Sequence, residues 1–382
     1  MPIFPEHCLD ETHLAFRATC QRFAEEEIRP HIDEWEENGP FPRSLYNKAA
    51  DAGILGVGFP EEYGGSGGDI MHCMMATEGL HYGTSGGVVA GLGSLGISLP
   101  PLFFLGSEEQ KQRIAPPVLK GNKIMALAVT EPGAGSDVSA IRTKAVLKGD
   151  HYEITGAKLF ITSGCRADIY MTLCRTGEEK HGGLTFLMID RHAAGVQVSE
   201  PLRKTGWWAS DTAEISFENV KVPLEDRVGA EGSGFLAVMQ NFQQERLILA
   251  SYGHITAELA TQEAMEYATQ REAFGKPLTG MQVIRHKLAE MMTKVTAAKT
   301  MNYQLGLQIA SGAYLVKEVS MAKNFSSTVA MEVTYDAVQI MGGMGYMRES
   351  VVERLSRDAR LLPIGGGTQE IMNEIIAKHF PR

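Results

Sequence analysis

Two groups of residues in this chain have types and spacings suited to chemistry. The first is a Pro/Gly turn, Ala128-Val-Thr-Glu-Pro-Gly-Ala-Gly-Ser-Asp137, which follows an apolar run from Ile124 to Val129. Gly133 and Gly135 carry no Cβ, so backbone N–H groups can crowd together there, with the hydroxyls of Thr130 and Ser136 alongside. Such a turn can grip a flat, polar, anionic ligand, although the same composition also serves as plain loop punctuation. The second is an acid, Glu245, seven residues beyond Val238 on a segment where Phe235, Val238, Met239 and Phe242 share one helical face. This spacing turns the carboxyl toward the packed side, where burial raises its pKa and makes it a stronger base once ionised. Read alone, an acid here more often pairs with a neighbouring Arg or Lys on a solvated face.

Three regions must position these groups. Residues 1–123 read as helical: Leu14, Phe16, Phe23 and Ile28 recur near helical spacing, and Pro30 interrupts the run. The loop Pro60-Glu-Glu-Tyr-Gly-Gly-Ser-Gly-Gly68 cannot stay helical and has no Lys-Ser/Thr after it, so it is a connector and not a phosphate cradle. Residues 124–230 hold short runs rich in β-branched and aromatic residues, at 152–154, 159–161, 169–173, 184–189 and 215–222. Their spacing predicts an antiparallel β-domain with no crossover helices. From 231 to 382 the helical period returns, with long apolar-striped segments near 234–271, 280–311 and 315–341 that predict an up-and-down, four-helix-bundle-like domain. The fold class is α+β, with helices, then sheet, then helices.

Composition narrows the partners. The chain has 382 residues and a net charge of −10, which argues against non-specific affinity for nucleic acid or an anionic membrane. Any phosphate-bearing ligand must be gripped locally. Cys8, Cys20, Cys73, Cys165 and Cys174 are odd in number and show no Cys-x-x-Cys spacing, which predicts reduced thiols and no metal site. No signal peptide, transit peptide or membrane span is read, so the expected location is cytoplasmic.

A second segment, Gln339-Ile-Met-Gly342-Gly343-Met-Gly345-Tyr with Glu349, Arg354 and Asp358 following, stands downstream of the 128–137 turn. Together the two resemble, in order and content, the paired signatures of the flavin-dependent acyl-CoA dehydrogenases, and the resemblance runs from the N-terminal helices through Phe380. It implies FAD as cofactor, an acyl-CoA substrate, electron-transfer flavoprotein as acceptor and a homotetramer. It places Leu127, Thr130, Gly135 and Ser136 near the flavin ring and the thioester. Phe160-Ile161-Thr162 matches a Trp-Ile-Thr strand beside the ring, with Phe replacing Trp. Arg271 and Phe274 resemble residues that reach the pyrophosphate and adenine from a neighbouring subunit, while Gln282, Gln339, Gly342 and Gly343 resemble other contacts to the nucleotide half. Thr368, Gln369 and Glu370 open a helix near the same cofactor.

One departure matters for mechanism. The family's usual base is a Glu just before Gly-Thr, but here the segment reads Pro363-Ile-Gly-Gly366-Gly367-Thr368. In the isovaleryl-CoA and long-chain branches the base comes instead from a Glu-Arg pair early in the C-terminal bundle, and Gln243-Gln-Glu245-Arg246-Leu247 resembles that segment. The resemblance thus implies Glu245 as base, with Ser136, Gln243, Arg246, Gly366 and Gly367 around the substrate. The competing readings are a non-catalytic acyl-CoA or flavin binder and an oxidase of the same fold that reduces oxygen. Trp207 and Trp208 are left as packing residues or an exposed partner patch.

Overall fold

The computed structural model describes residues 5–380. Side-chain caps open several of the helices. Asp10 accepts from the backbone N–H groups of Thr12 and His13 to open α1 (Glu11–Phe23), and Asp69 does the same for α4 (Ile70–His81) through His72; in both, the histidine ring closes a capping box. These two helix starts abut, with the His13 and His72 ring centroids 4.5 Å apart. Ahead of Pro30, α1 loosens into a π turn (Ala24–Ile28) and a 3-10 turn (Arg29–His31), because proline cannot donate to the helical ladder. The chain then continues as α2 (Ile32–Asn38), α3 (Ser44–Asp51) and, beyond α4, α5 (Gly86–Leu92), α6 (Leu95–Ser98), α7 (Pro100–Leu105) and α8 (Glu108–Leu119). The glycine-rich loop 60–68 folds back on residues 56–59, and a Cβ on Gly65 would collide with the Phe59 carbonyl.

The sheet comprises β1 (Met125–Ala128), β2 (Lys144–Lys148), β3 (His151–Thr162), β4 (Ile169–Arg175), β5 (Leu184–Asp190), β6 (Val196–Val198), β7 (Thr212–Pro223) and β8 (Arg227–Val228). Its order is β6-β7-β3-β2-β4-β5-β8, with β1 also on β4. Two features differ from the sequence reading. The sheet is not wholly antiparallel: β1 runs parallel to β4 along its length, and β2 meets β4 in parallel at Lys144 and Arg175. The β2–β3 hairpin lies between β1 and β4 in the chain, and a connection of that length lets the two run parallel. The runs at 152–154 and 159–161 are also one strand, β3, bent by register shifts at Gly156 and between Lys158 and Ile161.

The C-terminal part begins with α9 (Gly234–Gln270). A tight hairpin of β9 (Glu272–Ala273) and β10 (Lys276–Pro277) leads to α10 (Gln282–Ala310) and α11 (Val316–Met341). Three shorter helices close the chain: α12 (Gly343–Tyr346), α13 (Val351–Ala359) and α14 (Gln369–Ala377). α9 packs against α11, α10 and the N-terminal α4. A buried polar knot ties the two helical regions: Glu78 of α4 accepts from Tyr303 at 2.9 Å, meets His254 Nε2 at 2.9 Å and pairs with Arg17 at 3.2 Å. Among the described residues no single helix is long and apolar enough to cross a membrane. The bent apolar pair of 86–92 and 95–105 is the one stretch that approaches this, and parts of it wall an internal cleft.

Candidate active site

That cleft, about 1480 Å³, lies among the N-terminal helices, the 128–137 turn, the end of β3 and the face of α9. The turn is held from behind. Glu131 and Ala134 exchange backbone hydrogen bonds, while the buried Glu131 carboxylate accepts from the N–H groups of Arg142 and Thr143 and from Lys158 Nζ at 2.8 Å. Lys158 also donates to the Val129 carbonyl, and Leu159 N–H donates to Thr130. The turn is thereby fastened to β3, so that Leu127, Thr130, Gly135 and Ser136 stand in the same wall as Phe160, Ile161 and Thr162.

Gly133 and Gly135 are not glycine for lack of room: no protein atom lies within 4 Å of where a Cβ would stand at either. Phe160 is 64% exposed at φ +60°, a backbone conformation that costs a non-glycine residue about 1–3 kcal/mol. An open Gly/Ser turn beside a strained, uncovered aromatic ring is what a flat cofactor with polar edges requires, so the residues present fit a flavin.

On the opposite wall, Phe235, Met239, Phe242, Glu245 and Leu249 present one face of α9 to the cavity. Glu245 Oε2 is sealed from solvent and has no hydrogen-bond partner. Burial raises its pKa to about 7, against the pull of Arg246 and Lys323. A Cβ on Gly366 would lie 3.7 Å from Glu245 Oε1, so position 366 and the Glu245 carboxyl converge on one spot. Gly366 itself sits at φ +65°, and a side chain there would collide with Leu249 Cδ1. Arg246 Nε donates to the Gly366 carbonyl at 3.1 Å. Thr368 caps α14 through the Ile371 N–H and reaches the same wall.

Not every residue singled out from sequence meets here. Gln243 is buried with its Oε1 unpartnered and does not line the cleft, whereas its neighbour Gln244 does. Gln369 and Glu370 point to the surface. Arg271, Phe274, Gln282, Gln339, Gly342 and Gly343 form a separate exposed group. Phe274, at the tip of the β9–β10 hairpin with φ +54°, is 95% exposed. Arg271 follows the last turn of α9, so about 38 Å of helix separates it from Glu245 at 1.5 Å per residue. One chain cannot bring both ends of α9 to one small ligand.

Trp207 was given no role by sequence. It lines the cleft at φ +56°, 5.7 Å from the Tyr252 ring centroid. Asp358 holds it there by accepting from the N–H groups of Trp207 (2.6 Å) and Gly86 (2.9 Å). Trp208 is not an exposed patch: the guanidiniums of Arg348 and Arg357 lie over its ring at 4.4 and 3.8 Å. The paired tryptophans before Ser210-Asp-Thr were a visible signal, but only the fold separates the wall residue from the packing one.

Comparison with known proteins agrees with this architecture. Family models described as acyl-CoA dehydrogenase N-terminal, middle and C-terminal domains match residues 10–122, 126–220 and 232–380. The chain is 36% identical over 372 residues to an acyl-CoA dehydrogenase of Bacillus subtilis, covering 97% of this chain and 98% of that one. It is 37% identical over 372 residues to the mitochondrial long-chain specific acyl-CoA dehydrogenase of Sus scrofa, covering 96% and 86%. A crystal structure of a probable acyl-CoA dehydrogenase from Mycobacterium abscessus superposes with a TM-score of 0.95 at 50% identity, over 97% of this chain and 98% of that one. This chain therefore belongs to the acyl-CoA dehydrogenase family, whose members are FAD flavoproteins and oxidoreductases.

Proposed function

We propose that the protein oxidises an acyl-CoA thioester to the trans-2-enoyl-CoA, with Glu245 as the base that removes the α-proton. The observation that carries this reading is the desolvated Glu245 carboxyl, with Oε2 lacking any hydrogen-bond partner and Oε1 beside the Gly366 position. A carboxylate with a pKa near 7 is half ionised at neutral pH and holds an abstracted proton well, and positioned bases typically contribute ~10²- to 10⁴-fold in rate. Arg246 fixes the Gly366 carbonyl, so the glycine turn stays clear of the space beside the base. Phe235, Met239, Phe242 and Trp207 supply an apolar lining that excludes water from the reacting carbons.

When bound, FAD supplies acceptance of the hydride that leaves the β-carbon. Leu127, Thr130, Gly135, Ser136 and the Phe160–Thr162 strand would hold its ring half, with Thr368 nearby. Arg271, Phe274, Gln282, Gln339, Gly342 and Gly343, and Gln369 and Glu370 at the start of α14, are proposed for the nucleotide half. The length of α9 supports Arg271, Phe274 and the residues exposed with them serving the cofactor of a second copy, and a homotetramer is the assembly proposed. Electron-transfer flavoprotein is the proposed electron acceptor. The test is anaerobic mixing with acyl-CoAs of graded length and branching. Glu245→Gln keeps its yellow flavin but is not bleached by an acyl-CoA that bleaches the wild type, and bleaching of the variant at the wild-type rate overturns the assignment.

A further inference from the structure

Facing the same turn from α11 is a lysine that the proposed reaction does not use. Lys323 is fully buried among Val319, Ala322, Ser326 and Ser327, and its ammonium donates to the Gly367 carbonyl at 2.6 Å. Among the described residues it has no carboxylate within ion-pair distance, so its burial is not offset by a salt bridge. A lone buried ammonium is costly unless something nearby makes use of its charge. Two cations from two helices thus hold consecutive carbonyls of one glycine turn: Arg246 on Gly366 and Lys323 on Gly367. The next residue of α11, Asn324, donates to the Gln369 carbonyl and to Asn373, which anchors the start of α14 to the same helix.

The charged groups around this point are few. Acting on the Glu245 carboxylate are Arg246, its neighbour on α9, and Lys323 from α11. Acting on Lys323 are Arg246, Glu245 and, from α14, Glu370; Tyr314, ahead of α11, acts on Arg246. The turn itself, Gly365–Gly367, contributes no titratable side chain. The geometry points to Lys323 as a positioning residue for the base: it locks the glycine turn that Glu245 faces and sets a buried positive charge behind that turn, beyond ion-pair distance of the carboxylate, favouring its ionised form. This rests on Glu245 being the base. Burial and Arg246 bring the Lys323 pKa down to about 8, against the pull of Glu245 and Glu370, so the ammonium is still charged where Glu245 ionises.

The test is Lys323→Met against Lys323→Arg in the FAD-loaded enzyme, read first by pH-dependent infrared difference spectra with the Glu245 carboxyl band assigned by its loss in Glu245→Gln. Lys323→Met raises the Glu245 midpoint by about one unit, equivalent to a tenfold fall in the ionised fraction at pH 6, and the acid limb of kcat/KM moves up with it. Lys323→Arg keeps both near the wild-type position. A midpoint and acid limb unmoved in Lys323→Met, with kcat lowered equally at every pH, reduces the lysine to a strut and overturns the proposal. Should Lys323→Met not fold, Lys323→Gln, which retains a donor for Gly367 but no charge, gives the same comparison. Should neither fold, the reciprocal shift decides: in Glu245→Gln the Lys323 ammonium, followed by nitrogen NMR of lysine-labelled protein, titrates at lower pH, and an unchanged midpoint overturns the coupling. The infrared midpoint does not depend on turnover, so failure of Glu245 as base and failure of Lys323 as its partner remain separate results.

Discussion

The wall around Glu245 and the surface arm bearing Arg271, Phe274, Gln339 and Gly343 lie at opposite ends of α9 and are built in opposite ways. The cleft is assembled within one chain: a turn clamped by the Glu131–Lys158 pair, a strained Phe160 and a carboxylate deprived of partners. The arm has almost nothing behind it. A Cβ on Gly342 or Gly343 would meet no protein atom, and Phe274 stands nearly free. Chemistry needs groups desolvated before substrate arrives, whereas a cofactor's nucleotide tail can be gripped by surfaces that are completed only on assembly. On the proposed reading, the protein builds the reacting end within one chain and leaves the other end to a second copy.

This contrast can be broken at either end. The largest expected effect is at the cleft: Glu245→Gln should lower steady-state turnover by about 10²- to 10⁴-fold while leaving the flavin content and the assembly unchanged. At the arm, Arg271→Ala should leave the cleft intact but weaken FAD binding by about 10- to 100-fold, the value of one charge-assisted hydrogen bond, as measured by titrating apoprotein with FAD. Loss of turnover in that variant at saturating FAD would mean that the arm belongs to the chemistry after all.

A smaller effect sharpens the picture of the cleft. Gly366→Glu in the Glu245→Gln background should return about tenfold in rate, provided Leu249→Ala is included to relieve the collision and despite the left-handed backbone at 366. The smallest expected effect is on stability. Because burial lifts the Glu245 pKa from 4.5 to about 7, the folded protein holds that proton more tightly, and the stability this confers is present below pH 4.5 and lost as pH rises through 7. Glu245→Gln should therefore melt a few degrees higher than wild type at pH 8 and no higher at pH 4.5, by thermal scans at the two pH values.

Much of this arrangement can be read from residue periodicity, and the unread parts share a cause. The stripe Phe235, Met239, Phe242 was enough to turn Glu245 inward, because helical spacing reports which face a residue occupies. It does not report what lies across from that face. Lys323 sits on the buried stripe of α11, and a lysine in that position was a sign of something needing its charge, but the Gly367 carbonyl it meets comes from a turn 44 residues away. Gln243 was expected beside the substrate from its neighbours in sequence, yet one step along a helix turns a side chain by about 100° and brings Gln244 to the cleft instead. The parallel pairing of β1 with β4 was hidden for the same reason: strand propensity carries no direction.

The most direct measurement of the central claim is exchange of the substrate's α-hydrogen with solvent, because it reports the proton step apart from hydride removal. An acyl-CoA analogue that cannot lose its β-hydride, incubated with the FAD-loaded protein in heavy water and followed by mass spectrometry, should gain α-deuterium with the wild type and not with Glu245→Gln. Exchange at the wild-type rate in the variant would contradict the account and place the base elsewhere in the cleft.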